Sequence, residues 1–207
     1  MRKPLLALFL ALSLTLGLAV CGSTPAPEAN NTASDSAPSE STPQTEASGG
    51  VLVAYFSATG NTEGVAQQLA GLLSADLYAI TPAEPYTEED LDYTNPNSRS
   101  QVEGSDPDAR PALAGEALDL TGYDTIFLGY PIWNGQAPKL LSTFLETYDC
   151  TGKTIVPFCT SGSSPIGSSA EALQPLAPEA HWLEGQRFAA DPSQDTLSAW
   201  VEGLPLE

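Results

Sequence analysis

Basic residues are scarce in this chain: seven Lys and Arg stand against 26 Asp and Glu in 207 residues, a formal net charge of −19. That balance disfavours attraction to a phosphodiester backbone or to anionic lipid, so nucleic acid is not an expected partner and a basic protein or a small molecule is. Histidine occurs once, at His181, and cysteine three times, at 21, 150 and 159, with no CxxC spacing. A zinc centre or a Cys-His catalytic pair is therefore not expected. Neither GxxxxGK[ST] nor GxGxxG is present, which argues against ATP or NAD as the primary ligand.

One long apolar run occurs, from residue 4 to 20, and it follows the basic start Met1-Arg2-Lys3. This is the layout of an export signal, which predicts removal of residues 1–20. The run is at the short limit for a membrane span and has no basic stop-transfer flank, which weighs against an uncleaved anchor. Leu18-Ala19-Val20-Cys21 resembles the lipobox of bacterial lipoproteins. The resemblance implies that Cys21 becomes a diacylglycerol-modified N-terminus and that the protein sits on the cell membrane at its extracytoplasmic face. Residues 22–50 hold no aromatic residue and no Leu, Ile, Val or Met, so no core can form there. The lipidated cysteine and a disordered tether are expected over 21–49, with a reach of about 30 Å, and a folded domain over 50–207.

From Val51 the composition changes. Residues 51–56 form a continuous apolar run, the pattern of a strand covered on both faces. Val65, Leu69, Leu72 and Leu73 follow at helical spacing. Residues 76–80, 125–130 and 153–159 read as further strands, and Pro138 as the first turn of a helix that buries Leu141, Phe144 and Leu145. A fifth strand falls somewhere in 182–188. Asp191-Pro192 reads as cap and first turn of a last helix, burying Leu197, Trp200, Val201 and Leu204. Strands alternating with helices predict an α/β domain with a parallel sheet and right-handed crossovers. Pro157 lacks a ladder donor and predicts an edge or a bulge.

Residues 81–111 are acidic, rich in proline and poor in core residues, as expected of a functional or disordered loop. Its Arg99 and Arg110 are expected to make internal salt links. Cys150 and Cys159 fall near opposite ends of the fourth strand, about five steps of roughly 3.3 Å apart, beyond the roughly 7 Å limit for bridged Cα atoms. Both are expected as unpaired, buried, inert thiols.

Ligands of an open parallel sheet bind at the carboxyl ends of its strands. Three loops end there. Ser57-Ala58-Thr59-Gly60-Asn61-Thr62 combines hydroxyl donors, a glycine that permits a tight turn and a helix N-terminus with unpaired N–H groups, which together make a phosphate cradle without a cation. Gly129-Tyr130-Pro131-Ile132-Trp133-Asn134-Gly135 offers an aromatic surface and a tight-turn dipeptide. Thr160-Ser161-Gly162-Ser163-Ser164 offers backbone donors.

The first of these resembles the phosphate loop of the flavodoxin family, [ST]-x-T-G-x-T, and the alternation of strands extends the resemblance over residues 50–205. It implies a doubly wound five-stranded parallel sheet of order 2-1-3-4-5 with helices on both faces, and FMN at its tip. Ser57, Thr59, Gly60, Asn61 and Thr62 would then hold the 5′-phosphate. Pro131, Ile132, Trp133, Asn134 and Gly135 would flank the ring, with Trp133 stacked on it. Thr160, Ser161, Gly162 and Ser163 would meet its polar edge. The third loop has no stacking tyrosine, which leaves the second ring face open or covered by Tyr86 or Tyr93. The resemblance implies an electron carrier exchanging with a redox partner protein or a small-molecule acceptor. An NAD(P)H-dependent flavin or quinone reductase and a flavin-free binding module are the alternatives.

Overall fold

The protein is described by a computed structural model over residues 49–115 and 117–206. The export signal, Cys21 and almost all of the tether lie outside the described residues. In chain order the elements are β1 (Gly50–Tyr55), α1 (Asn61–Leu73), β2 (Asp76–Ala79), β3 (Thr81–Pro82), α2 (Arg99–Ser105), β4 (Leu113–Ala114), β5 (Tyr123–Pro131), α3 (Lys139–Thr147), β6 (Thr154–Thr160), β7 (His181–Trp182), β8 (Gln186–Phe188) and α4 (Gln194–Glu202). The main sheet runs β2-β1-β5-β6-β7, with β8 also paired to β6, and every pairing in it is parallel. This is the predicted 2-1-3-4-5 order, with the fifth strand in two pieces.

Pro157 explains the split. The Leu183 N–H donates to the Ile155 carbonyl at 2.9 Å, so Ile155 turns its polar backbone groups toward the outer strand. In a parallel ladder residues alternate in the neighbour they address, so Pro157 addresses the same side. Its missing donor falls between β7 and β8, where pairing lapses, and Gly185 lies so close that a Cβ there would sit 2.9 Å from the Pro157 ring. The proline interrupts its neighbour and leaves its own strand continuous.

The two faces of the sheet follow the two-residue period of its strands. Leu52, Ala54, Phe56, Ile126, Leu128, Tyr130 and Ile155 pack with Leu140, Leu141, Phe144 and Leu145 of α3. Val53, Tyr55, Phe127, Val156 and Phe158 pack with Val65, Ala66 and Leu69 of α1 and Leu197 of α4. Trp200 stands edge-on to Phe127 and Phe188 at ring separations of 5.7 and 5.2 Å.

Three expectations need correction. Pro138 precedes α3 as an extended cap and is not part of its first turn. The start of α4 is capped by Ser193, whose Oγ accepts the Thr196 N–H at 3.3 Å, two residues later than the predicted Asp191. Serine and aspartate both favour caps, and local sequence does not choose between two so close together. The stretch 81–111 is structured: β3 pairs antiparallel with β4, and α2 forms within it. Its arginines make the expected salt links, Arg99 to Glu103 at 2.6 Å and Arg110 to Glu146 at 2.7 Å. Cys150 and Cys159 are both free and buried, and burial pushes their thiols up to about 11 and about 12.

Candidate functional site

The chain leaves β1 to one side to form β2, then crosses back to form β5 on the other side of β1. The strand order therefore reverses between β1 and β5, and their carboxyl ends open a crevice there. The structure brings the three predicted loops together around it. A cleft of about 310 Å³ is lined by Thr59 and Asn61, by Pro131, Ile132 and Trp133, by Thr160, Ser161 and Gly162, and by Ala189 and Ala190 after β8. Ser57, Gly60, Asn134, Gly135 and Ser163 lie in the same loops but do not line it.

The start of α1 is built to leave donors open. Gly60 caps it in the left-handed conformation, φ 86°, and no side chain caps the helix. A side chain at 60 would meet no neighbour, so backbone conformation is what this position requires of glycine. Among the described residues, the N–H groups of residues 58–63 find no acceptor. Thr62 is placed differently from its loop partners. It is buried, and its Oγ1 lies 2.7 Å from Thr160 Oγ1, a hydroxyl pair that fastens the start of α1 to the end of β6.

The second loop is a two-residue hairpin. Trp133 and Gln136 exchange both backbone hydrogen bonds at 2.9 Å, and the intervening Asn134 and Gly135 have φ of 50° and 78°. Positive φ at both central residues is the reason Asn-Gly suits this turn. Asn134 also trades side-chain amide bonds of 2.9 and 3.1 Å with Gln101, which ties the hairpin to α2.

Trp133 is half-buried and stands edge-on to Phe56 and Tyr86, at ring separations of 5.4 and 5.0 Å. Tyr86 is therefore a buttress behind Trp133. Its hydroxyl donates to Glu103 at 2.5 Å, and the Arg99 guanidinium lies 4.1 Å above its ring. Burial first, then the Glu103 carboxylate, raises the Tyr86 phenol well above its ordinary range. Tyr93 is 80% exposed on the same insertion.

The third loop is held by a residue that sequence reasoning did not place in the site. Arg187 of β8 donates from Nη2 to the Ser161 and Gly162 carbonyls at 2.5 and 2.8 Å, and from Nε to Ser161 Oγ at 3.2 Å. Ala189 and Ala190 were also missed. None of the three carries a local motif, and only the pairing of β8 with β6 brings them beside Ser161.

A parallel sheet covered by helices on both faces, whose strand order reverses between β1 and β5, belongs to the doubly wound α/β class. The flavodoxin family profile matches residues 50–204, and the chain belongs to that family. It is similar to a candidate flavoprotein from Bacteroides eggerthii, at 43% identity over 77% of this chain and 99% of that one, with a TM-score of 0.72. A second candidate flavoprotein, from Bacteroides uniformis, is 44% identical over 74% of this chain and 98% of that one, also with a TM-score of 0.72. A Lactobacillus acidophilus flavoprotein, solved in complex with FMN, shares the fold at 21% identity over 72% of this chain and 99% of that one, with a TM-score of 0.54. No curated protein matches the chain.

Proposed function

We propose that the chain binds FMN in the 310 Å³ cleft and passes electrons through it to a redox partner protein or a small-molecule acceptor. The observation that carries this reading is the convergence of three loops, each with a different kind of unspent group, on one cleft at the switch point. The open N–H groups at the start of α1 fit a phosphate, since they supply donors and the positive end of a helix dipole without a competing cap. Ser57 and Thr59 would add hydroxyl donors there. Trp133, fixed by Phe56 and Tyr86, presents a rigid apolar wall suited to a flat ring. The loop from Thr160 to Ser163 supplies backbone donors for the ring's polar edge. FMN, when bound, supplies one- and two-electron redox chemistry. The residues named here bind it, orient it and set the charge around it.

A lipid on Cys21 and a tether over 21–49 would hold the domain outside the cytoplasmic membrane. Replacing Cys21 by alanine is expected to release the protein from the membrane fraction.

The absorbance spectrum of the full chain as purified tests the cofactor assignment, with stoichiometric FMN as the expected result. Redox titration should then resolve one-electron steps at low potential, because added negative charge is disfavoured in so acidic a protein. A chain that stays colourless after FMN addition overturns the reading in favour of a flavin-free module. Rapid NADH-driven quinone reduction would make the protein an enzyme of the reductase type.

A further inference from the structure

We propose that Arg187 is a positioning residue for the cofactor site, shaping the third loop with its guanidinium fork and setting the potential of the bound ring with its charge; this rests on the FMN reading above. Cations are rare in this protein, and beyond Arg2 and Lys3 there are five. Arg99 and Arg110 are engaged by carboxylates. Arg187 is not: among the described residues it forms no ion pair, and its three hydrogen bonds all go to Ser161 and Gly162. A guanidinium presents its donors in a rigid planar fork, so one side chain can fix two successive carbonyls where a lysine fixes a point.

A trans peptide sets its N–H opposite its C=O. Holding the Ser161 and Gly162 carbonyls against Arg187 therefore faces the Gly162 and Ser163 N–H groups away from it. Those two N–H groups find no acceptor among the described residues, and Gly162 lines the cleft. The arginine thus spends its own donors on the back of the loop and leaves the loop's donors open. Its positive charge sits one residue from the cleft wall in a strongly acidic protein, where it favours negative charge gained by a ligand on reduction. The same field lowers the neighbouring Cys159 thiol, against a larger upward effect of burial.

The test compares the full chain with R187K and R187Q. Exchange of the Ser161 amide, which donates to the Phe188 carbonyl at 3.3 Å and so reports how firmly the loop is held, is expected to rise about tenfold in both variants when measured without FMN. FMN affinity, read by quenching of flavin fluorescence, should weaken about tenfold in R187Q. The midpoint potential should become more negative in R187Q and stay close to that of the parent in R187K, because the lysine keeps the charge and loses the fork. Unchanged loop exchange in R187K overturns the fork role. An unchanged potential in R187Q overturns the charge role, and if R187Q does not fold, a potential in R187K that moves as far as in an R187M variant does the same. A parent chain that binds no FMN sinks the cofactor reading alone, while loop exchange in the variants still decides whether Arg187 shapes the loop.

Discussion

At the amino-terminal end of the main sheet lie open depressions of about 630 Å³, lined by Asp124, Gly152 and His181 among others, and about 460 Å³, between residues 145–151 and 176–180. The cleft at the carboxyl end is smaller, about 310 Å³. The polar groups of the two ends behave differently. At the amino-terminal end Asp119 accepts the Thr121 N–H and hydroxyl at 2.9 and 2.8 Å, Asp149 accepts the Thr151 N–H at 2.9 Å, and Lys153 donates to the Leu120 and Tyr123 carbonyls at 2.8 and 2.7 Å. The Thr121 N–H and hydroxyl hold the Asp119 carboxyl below its usual range, and the Thr151 hydroxyl and then its N–H do the same for Asp149. At the carboxyl end the N–H groups of residues 58–63, 162 and 163 are left open, and the side chains are spent on holding the loops in place. Unspent donors, and not volume, distinguish the end of the sheet where the proposed site lies.

The largest effect expected from breaking that contrast comes from a carboxylate placed among the open donors. Thr59→Asp should weaken FMN binding on the order of 100-fold by charge repulsion, while the protein without FMN gains about 0.3–1 kcal/mol from the helix dipole. Fluorescence titration and urea unfolding read the two signs separately. The matched change at the other end, His181→Ala, should leave FMN affinity unchanged, and any loss of affinity would show that the larger hollow takes part.

Thr62→Val tests whether the hydroxyl beneath the loop is structural. The variant leaves Thr160 unpaired in a buried site, so urea unfolding should show a loss of about 1–3 kcal/mol, most of it recovered in the T62V/T160V pair.

The two buried thiols compare the ends of β6, with Cys150 in the turn that leads into the strand and Cys159 next to its last residue. Their ordinary value is 9.0, and burial raises them to about 11 and about 12. Between pH 9 and 12 the folded state therefore holds more protons than the unfolded state. Stability from this source is complete below pH 9 and falls as pH rises through that window. The C150A/C159A variant should show a shallower alkaline decline in urea midpoint, and neither thiol of the native domain should react with a thiol reagent at pH 8.

The smallest effect is expected at Arg110–Glu146, whose side chains are 31% and 42% exposed. Arg110→Gln should cost less than about 1 kcal/mol, and less still at high salt.

Much of this was legible in the chain itself because it rests on local pattern. The apolar run at 51–56, the helical spacing of Val65, Leu69 and Leu73 and the density of hydroxyls at 57–62 each report a backbone state through their immediate neighbours. Asn134-Gly135 specified its turn in the same way. Helix α2 was not legible, since its seven residues carry too weak an apolar stripe to stand out.

Sequence alone thus determined the layered α/β class and the three loops at the strand ends, because periodicity and turn chemistry act over a few residues, while the order of the strands came from the family resemblance of the first loop. Only the tertiary structure decided what those loops do with their groups. It buried Thr62 against Thr160, set Tyr86 behind Trp133 and brought Arg187 to the back of Ser161. Those contacts join residues 98, 47 and 26 positions apart, and no spacing along the chain encodes which distant strand end a side chain will meet.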